Sequence, residues 1–315
     1  MGAVLTDRVI AEHLSPIHVF LERSLEQGSM LYLAARSLSA LRECIQELPE
    51  YWQQIASRIS VLDNPSQITS SHPRFYPYPS SYIENGKTIH FQYVRRLERD
   101  DVCQTFLAKT DDGEEVVVKL VSTYGAEVHN FLYHNGYAPR LHYHGLLPDY
   151  PTNPFRNNLP PDIPHIQMYL VIMDYIPSGP EPDYSDVVSQ LEDALTKLHA
   201  NGFVFGDLRP PNLLFDTAGR LRLIDYDWAG RYKVDEELLG ECVPLDVQEK
   251  IEAYISNCTA SSTSNTTYAR YPVFMSDAID WPAGVGPRDY ILPWHDWDML
   301  DKLLESPQAS PSTSI

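Results

Sequence analysis

Side chains suited to catalysis are most concentrated between positions 206 and 225. Asp207 is followed closely by Arg209 and Asn212, and Asp225 follows a predicted pair of short strands. Phosphoryl transfer needs groups of these kinds: a carboxylate for the incoming hydroxyl, cations for the phosphates and oxygen ligands for magnesium. Taken singly, Asp and Asn before strands are common turn residues. Turn formation alone does not readily explain their joint order and spacing.

A candidate cation for the phosphates lies earlier in the chain. Lys119 follows the valines at 116–118 in a predicted strand. A buried strand tolerates a lysine only beside a partner. Glu127 is the sole acid in the helix predicted next, so we predict a Lys119–Glu127 ion pair. The alternative is that Lys119 is an edge-strand lysine in solvent.

The elements that must position these residues change in type along the chain. Alternation of apolar and polar residues predicts strands over residues 89–94, 105–108 and 115–121. The Asp-Asp-Gly sequence at 111–113 predicts the hairpin turn between the last two strands. A short helix over 126–135 is predicted to end at Gly136.

The second half of the chain is predicted to be richer in helix. Residues 184–201 form a predicted amphipathic helix, and residues 212–215 and 221–224 a predicted strand pair with a turn at Gly219. Asp207 and Asp225 would then lie at the ends of adjacent short strands and face one cleft. A sheet-rich half before a helix-rich half indicates an α+β protein with two lobes.

The same segments resemble the motifs of protein kinases. Residues 207–212 are similar to the D-x-K-x-x-N part of the kinase catalytic loop, with arginine in place of lysine. Residues 117–119 resemble the strand of the ATP-binding lysine, 171–176 the gatekeeper and hinge, and 225–227 stand where kinases have D-F-G. The phrases GDLRPPN, LIDYDWAG and HDWDML are most similar to a family of kinase-like proteins common in fungi. More distantly, choline kinase and aminoglycoside phosphotransferases share such motifs.

This resemblance covers roughly residues 88–305 and implies an α+β, two-lobed protein-kinase-like fold. It implies an antiparallel-sheet N-lobe over residues 88–175 and a mainly helical C-lobe over 176–305. Helical periodicity predicts an N-terminal helical segment over residues 1–62. A Pro/Ser/Tyr-rich linker over 63–87 and a disordered tail over 306–315 complete the predicted organisation.

The resemblance also implies roles for the residues of the loop. Asp207 would be the catalytic acid/base that orients or deprotonates the acceptor hydroxyl, with Arg209 close to the transferring phosphate. Asn212 and Asp225 would hold Mg²⁺. Asp227 would supply a further metal contact or cap the next turn, and we favour the cap.

Nucleotide binding is implied for a second group of residues. Lys119, fixed by Glu127, would hold the α- and β-phosphates of ATP. The hinge would receive adenine through Met173, Asp174 and Ile176. ATP and Mg²⁺ are therefore the expected cofactors. Asp296 would be structural, because kinases use such an aspartate to brace the backbone of the catalytic loop.

Several segments depart from the kinase pattern. The turn at residues 98–104 has no glycines and carries acids where backbone amides normally cradle phosphates. Phe205 replaces the histidine of the catalytic loop. Gly206 replaces an arginine, so we predict no switch operated by a phosphorylated activation loop. Residues 231–269 lack A-P-E, and we predict a mobile insertion there.

Three functions remain open at this point. The first is an active kinase for a protein hydroxyl. The second is a pseudokinase that acts as an interaction module, and the third is a small-molecule kinase similar to choline kinase or the aminoglycoside phosphotransferases. The partner is therefore an unknown protein or small-molecule acceptor. The N-terminal helices would pack on the following domain or bind a partner.

Composition narrows the class of protein. The 315-residue chain has a formal net charge of −19, which disfavours nucleic-acid and membrane-surface binding. No apolar run approaches the ~20 residues of a membrane helix, and the N-terminus lacks a secretory signal pattern. The four cysteines show no metal-ligand spacing. We expect an intracellular, cytoplasmic or nucleocytoplasmic protein. Gly2 also fits a myristoylation pattern, against the alternative of an ordinary N-terminus.

Overall fold

The computed structural model describes most of the chain after residue 78. The described residues are 2–5, 9–12, 35–36, 38–43, 45–49, 79–97, 104–147, 168–180, 182–234, 239–258, 267–272, 275–276 and 278–305. Predictions for the third N-terminal helix at 51–59, for most of the turn at 98–104 and for the tail at 306–315 fall outside them.

The N-terminal segment differs from its prediction. Strands β1 (Gly2–Leu5) and β2 (Val9–Glu12) pair antiparallel, so the predicted helix at its start is wrong. Short apolar runs do not distinguish strand from helix by periodicity, and β-branched residues favour strands. Residues 35–36, 38–43 and 45–49 are helical (α1), in agreement with the second predicted helix. None of the helices in the described residues is long and apolar enough to cross a membrane.

The main element of this α+β fold is a six-stranded antiparallel sheet. Its strands follow the order β3-β4-β5-β6-β8-β7, with hydrogen bonds between neighbours. Their bounds are β3 Ser81–Glu84, β4 Lys87–Arg96, β5 Thr105–Thr110, β6 Glu115–Val121, β7 Leu141–Leu146 and β8 Tyr169–Asp174. The strands predicted over 89–94, 105–108 and 115–121 are confirmed.

The predicted linker over residues 63–87 is wrong at its C-terminal end. Residues 81–84 form β3, and a tight hairpin connects them to β4. Asn85 and Gly86 turn the chain with φ of 49° and 77°. Asn-Gly is the preferred pair for such two-residue hairpins because both positions need positive φ.

Aromatic side chains fill one face of the sheet. Phe91, Tyr93 and Phe106 are buried there, and successive ring centroids lie 5.5 and 5.4 Å apart. The two edge strands β3 and β7 approach each other, with the rings of Tyr82 and Tyr143 6.2 Å apart. The sheet is therefore curled, as the twist of antiparallel strands favours.

The helices lie mostly in the second half of the chain. They are α2 (Ala126–His134), α3 (Tyr184–His199), α4 (Leu245–Cys258) and α5 (Pro293–Glu305). Leu191, Leu195 and Leu198 form the buried face of α3, as their helical spacing predicts. Two short antiparallel pairs complete this half: β9 (Phe203–Val204) with β12 (Gly230–Arg231), and β10 (Leu213–Phe215) with β11 (Leu221–Leu223).

The segment predicted as one mobile insertion, residues 231–269, is partly built into the core. Helix α4 lies within it, and Val247 and Ile251 are buried in the same cluster as α3 and α5. The apolar residues of α4 recur at helical spacing, so the helix buries one face. The chain after it packs into the same core, with Tyr271 only 2% exposed.

Candidate active site

Strand β6 delivers Lys119 to the centre of the site. The residue is buried, and its Nζ lies 2.5 Å from Asp225 Oδ1 and 2.7 Å from Asp227 Oδ1. Burial alone would lower the pKa of Lys119, but the two carboxylates raise it. A buried lysine therefore has its acidic partners, as expected for a strand in the middle of a sheet.

The predicted partner of Lys119 is wrong. Glu127 instead pairs with Arg231 of β12, with Nε of Arg231 3.0 Å from Oε2. The reason is the approach of α2 to the segment after Asp225. Gly125 N donates to Tyr226 O at 2.8 Å, and a Cβ on Gly125 would lie 2.3 Å from Ala229 O. This close backbone contact directs the first turn of α2 towards β12.

Asp225 and Asp227 form a coupled pair of acids. Burial raises the pKa of Asp227 to about 7, Lys119 lowers it and the neighbouring Asp225 raises it. Burial also raises the pKa of Asp225, but Lys119 and a hydrogen bond from Asp227 bring it below the usual value. Near pH 7 Asp227 is therefore partly protonated, whereas Asp225 is ionised. Both side chains keep 31% exposure, which leaves them accessible to a ligand.

Asp225 has an unusual backbone. Its φ is 67°, in the left-handed region that few residues other than glycine adopt. Asp and Asn tolerate this region best among the other residue types because their short polar side chains bond locally. Positive φ at a candidate metal ligand is typical of functional sites, where surrounding structure maintains local strain.

Asp207, Arg209 and Asn212 form one hydrogen-bonded unit. The Arg209 guanidinium contacts both carboxylate oxygens of Asp207, with Nη2 2.7 Å from Oδ2. Asn212 Nδ2 donates to Asp207 O and Oδ2, each at 2.8 Å. Burial raises the pKa of Asp207, Arg209 lowers it and Asp225 raises it. Ile224 N donates to Asn212 O at 3.0 Å, which joins the loop of Asp207 to the residue before Asp225. The strands that precede the two acids, β9 and β11, are not paired with each other as predicted: β9 pairs with β12, and β11 with β10.

Asp296 braces the loop before Asp207, as predicted. Its Oδ2 accepts from Phe205 N at 2.9 Å and its Oδ1 accepts from Gly206 N at 2.7 Å. His199 Nε2 lies 2.9 Å from Oδ2, and Trp297 Nε1 lies 3.0 Å from His199 Nδ1. The indole N–H can only donate, so His199 Nδ1 is the acceptor and Nε2 carries the proton that Asp296 accepts.

Phe205 takes part in an aromatic column behind the site. The His129 ring stacks on Tyr226 at 4.4 Å, and Tyr226 meets the edge of Phe205 at 5.5 Å. Phe205 is fully buried. It therefore fills its position by packing against Tyr226.

Gly206 is required by its surroundings. Its φ is +80°, and a Cβ would lie 2.7 Å from Ile291 Cδ1. An arginine at this position would place its Cβ against Ile291.

The predicted hinge residues lie on the strand next to Lys119. In the pairing of β6 with β8, Lys119 faces Val171 and Val117 faces Met173. Met173 is buried, and Asp174 Oδ1 lies 2.6 Å from His142 Nε2. Ile176 is half-buried beyond the end of β8. The side chain of Asp174 is thus hydrogen-bonded to His142 of β7, the edge strand.

Few side chains in the described residues could act as ligands of a metal ion. Within the part of the chain that the structure describes, no group of three or more His, Cys, Asp or Glu has the arrangement of a metal site. Asp225 and Asp227 supply two carboxylates, and Asn212 has its Oδ1 left after Nδ2 bonds Asp207. Mg²⁺ is usually bound in this way, through one or two carboxylates plus water and substrate phosphates.

Sequence reasoning missed three contributors to the site. For Asp227 the sequence left a metal contact or a cap open, with the cap favoured, and neither interpretation included its ion pair with Lys119. His199 and Arg231 were not identified as partners of Asp296 and Glu127. The spacing of Asp225 and Asp227 was the available signal for the first, since alternate residues after a strand can reach the same cation.

Comparison with known proteins adds no assignment. No protein-family model matches this sequence, and no curated protein is significantly similar to it.

Proposed function

We propose that this chain is an ATP- and Mg²⁺-dependent phosphotransferase with a two-lobed, protein-kinase-like fold, and that it phosphorylates a protein hydroxyl. One observation carries the proposal. Lys119 on the six-stranded sheet meets Asp225 and Asp227, which follow a strand in the helical half. A cation from a sheet and acids from a helical region that meet at one cleft supply the groups that phosphoryl transfer needs.

The hydrogen-bonded unit of Asp207, Arg209 and Asn212 supports the same chemistry. A buried carboxylate with a raised pKa is a better proton acceptor than an ordinary aspartate. Each of its oxygens has two lone pairs, so the bonds from Arg209 and Asn212 leave acceptor capacity. Asp207 accepts the proton of the acceptor hydroxyl as that oxygen forms its bond to the γ-phosphorus, and the bond to the ADP oxygen breaks.

Arg209 has a second role in this scheme. Its guanidinium orients Asp207 and also lies 5.9 Å from the ring centroid of Trp228. Because Asp207 and Trp228 both fix its orientation, Arg209 is pre-organised to stabilise negative charge on the transferring phosphoryl group.

The residues present fit magnesium. Asp225, Asp227 and the Oδ1 of Asn212 would hold it, and Lys119 would contact the phosphates. Bound Mg²⁺ supplies charge neutralisation for the β- and γ-phosphates. Because the pKa of Asp227 is raised to about 7, part of the protein carries a proton on Asp227 at neutral pH that magnesium would have to displace. The affinity for magnesium should therefore rise as pH rises through about 7.

Nucleotide binding is the first test. We expect ATP with Mg²⁺ to stabilise the full chain by roughly 2.7 kcal/mol at a hundredfold its dissociation constant. Asp225→Asn removes the charge but keeps a residue that tolerates positive φ, and it should abolish the magnesium-dependent part of the shift. Asp246→Asn, on the exposed face of α4, is the control and should behave as wild type. Wild type without any shift would overturn the proposal.

Phosphate transfer is the second test. Wild type should move the γ-phosphate of labelled ATP to a protein mixture rather than to a panel of small alcohols and amino alcohols. Asp207→Asn should lower transfer by about 10²–10⁴ while the nucleotide shift remains. Transfer confined to the small-molecule panel would replace the protein acceptor with a small one. Unchanged transfer in Asp207→Asn would refute the role of Asp207.

A pseudokinase is the second candidate, and a specific observation favours it. The cations suited to phosphate are engaged by acids of the site: Lys119 by Asp225 and Asp227, and Arg209 by Asp207. Such pairs hold the cleft together without a nucleotide. On this alternative, Lys119→Met would destabilise the fold, and neither ATP nor magnesium would shift the unfolding midpoint of wild type.

A further inference from the structure

Helix α1 carries a row of apolar side chains that is open to solvent. Its members lie about one helical turn apart, and together they are called the α1 stripe: Leu38, Leu41, Ile45 and Leu48. Their exposed fractions are 67%, 45%, 57% and 43%, and every described residue of the helix is exposed. The core of the chain therefore does not cover the stripe.

A helix with such a stripe needs a partner to be stable. Isolated helices shorter than ~12–15 residues are marginal in water, and most of the stability of a helix in a protein comes from packing of its apolar face. Single exposed apolar residues are common on protein surfaces, but a contiguous row of them marks an interaction surface. The α1 stripe therefore indicates a binding surface.

The spacing of the stripe indicates which kind of partner it fits. Its intervals of three, four and three residues place Leu38 and Ile45 at the a positions and Leu41 and Leu48 at the d positions of two heptads. The flanking e and g positions over residues 35–49 hold no large aliphatic or aromatic residue. A helix that packs on a globular domain has a wider apolar face, whereas a strict a/d stripe is the seam of a coiled coil. The partner is therefore another helix.

The same phase extends beyond α1 in the sequence. Apolar residues at a and d positions precede the helix and resume after Pro49: Leu31, Trp52, Ile55, Ile59 and Leu62. The repeat thus exceeds the three heptads that are typical of coiled-coil sequences.

The charges of α1 favour a second copy of this chain as that partner. The whole chain has a formal charge of −19, so most of its surface repels another copy, whereas α1 carries two arginines and two glutamates. Leu at both d positions with Ile45 at an a position favours two parallel strands. In a parallel pair an e position faces a g position of the partner, and Arg42 at e then meets an uncharged residue.

We propose that α1 forms a parallel, two-stranded coiled coil with α1 of a second copy of this chain. The two stripes face each other across a two-fold axis, and each a and d side chain packs between side chains of the facing helix. The same residues serve both copies, as in the two-fold interfaces of most homodimers. This inference does not depend on the proposed phosphotransferase activity.

Sedimentation equilibrium of the full chain tests the proposal. The mass should rise from one chain to two as the protein concentration rises. Ile45→Asp places a charge in the seam and should raise the dissociation constant at least about a hundredfold. Gln46→Asp adds the same charge one residue later, outside the stripe, and should dimerise as wild type does. Both positions are exposed in the single chain, so both variants should give the wild-type far-UV circular dichroism spectrum.

Cross-linking tests the parallel orientation. A d position faces its own copy in a parallel pair, so Leu48→Cys should link two chains through a disulfide under mild oxidation. Gln46→Cys, outside the seam, is the control and should not add a link. The proposal is wrong if wild type keeps the mass of one chain up to ~100 µM, if Ile45→Asp and Gln46→Asp associate equally, or if Leu48→Cys links no better than Gln46→Cys.

Discussion

Replacement of Asp296 by asparagine should destabilise the fold more than any other single isosteric change at the site. Asp296 is fully buried and accepts three hydrogen bonds, from Phe205 N, Gly206 N and His199 Nε2. An asparagine keeps one oxygen and places an NH₂ group where the other was. Whichever way the amide turns, at least one backbone N–H then faces a donor.

The magnitude follows from these contacts. Hydrogen bonds to a charged group contribute ~1.5–3 kcal/mol each, and an unsatisfied buried donor costs ~1–3 kcal/mol. We expect a loss of about 3–5 kcal/mol in the free energy of unfolding, measured by urea denaturation at pH 7. Asp246→Asn removes an exposed acid from α4 and should barely change the midpoint.

A double-mutant cycle tests which way the new amide turns. In wild type, the Trp297 N–H fixes the proton of His199 on Nε2, so the NH₂ group avoids Oδ2, where it would oppose both that proton and Phe205 N, and takes the place of Oδ1, where it opposes Gly206 N alone. Trp297→Phe lets His199 change tautomer and accept from an NH₂ group at Oδ2, but Phe205 N then loses its acceptor instead. The number of lost hydrogen bonds is the same, so the penalty of Asp296→Asn should agree within ~0.5 kcal/mol in the two backgrounds. A penalty that falls by about 1–2 kcal/mol in the Trp297→Phe background, or one below ~1 kcal/mol in wild type, would refute this reasoning.

Three further changes test other parts of the structure. Gly206→Ala should lower the free energy of unfolding by about 1–3 kcal/mol in urea denaturation, because of left-handed backbone strain and the 2.7 Å approach of the new Cβ to Ile291. Gly86 also has a positive φ of 77°, but its Cβ would have no neighbour within 4 Å, so Gly86→Ala should lower it less. Equal losses in the two variants would show that the Ile291 contact has no effect. Glu127→Gln should cost at most ~1 kcal/mol in the same assay, as for a partly exposed ion pair, and a loss of ~3–5 kcal/mol would instead indicate the buried Lys119 partner. His142 lies between two carboxylates, and the hydrogen bond that it donates to Asp174 is the main reason that its pKa is raised. Its stabilising contribution is therefore complete below the unfolded pKa of ~6.5 and is lost as pH rises through the folded value, so His142→Gln should destabilise more at pH 6 than at pH 9, and a constant difference would contradict the assignment.

Local patterns predicted the elements well wherever one face is buried. Alternation identified β4, β5 and β6, and the leucine spacing identified α3. The hairpin before β4 was missed although Asn85-Gly86 is a strong turn signal, because the prolines and serines before it dominated the interpretation of residues 63–87. A strand as short as β3 contains too few alternating residues to be recognised by its periodicity.

The partner of Lys119 was beyond local reasoning. Helix α2 follows β6 closely, and a nearby acid is the simplest partner for a buried cation. Its rotation, however, is set by the contact of Gly125 with Ala229, which lies more than a hundred residues away in the chain. The acids that pair with Lys119 come from that same distant segment. Sequence spacing fixes which face of a helix a residue occupies, but it does not fix what the face meets.

Asp296 was predictable because a resemblance supplied a distant contact that spacing alone does not. The helix α5 pattern only places an acid in a first turn, where a carboxylate is favourable for any helix. The bond to the backbone at residues 205–206 spans some ninety residues. His199, at the end of α3, donates a further hydrogen bond to Asp296. This role could not be predicted from the sequence, because it depends on the Trp297 N–H, which fixes the His199 proton on Nε2.

The charges of the site affect whether a nucleotide could bind without a metal ion. Asp207, Asp225 and Asp227 face two cations, Lys119 and Arg209, each already paired with an acid. The unit is close to neutral when Asp227 is protonated and carries a net negative charge when it is not. Polyphosphate without a metal would meet these carboxylates at close range and be repelled. Magnesium held by the acids would turn these repulsive groups into ligands and would free Lys119 for phosphate. The proposed function therefore predicts a metal requirement that is independent of the acceptor.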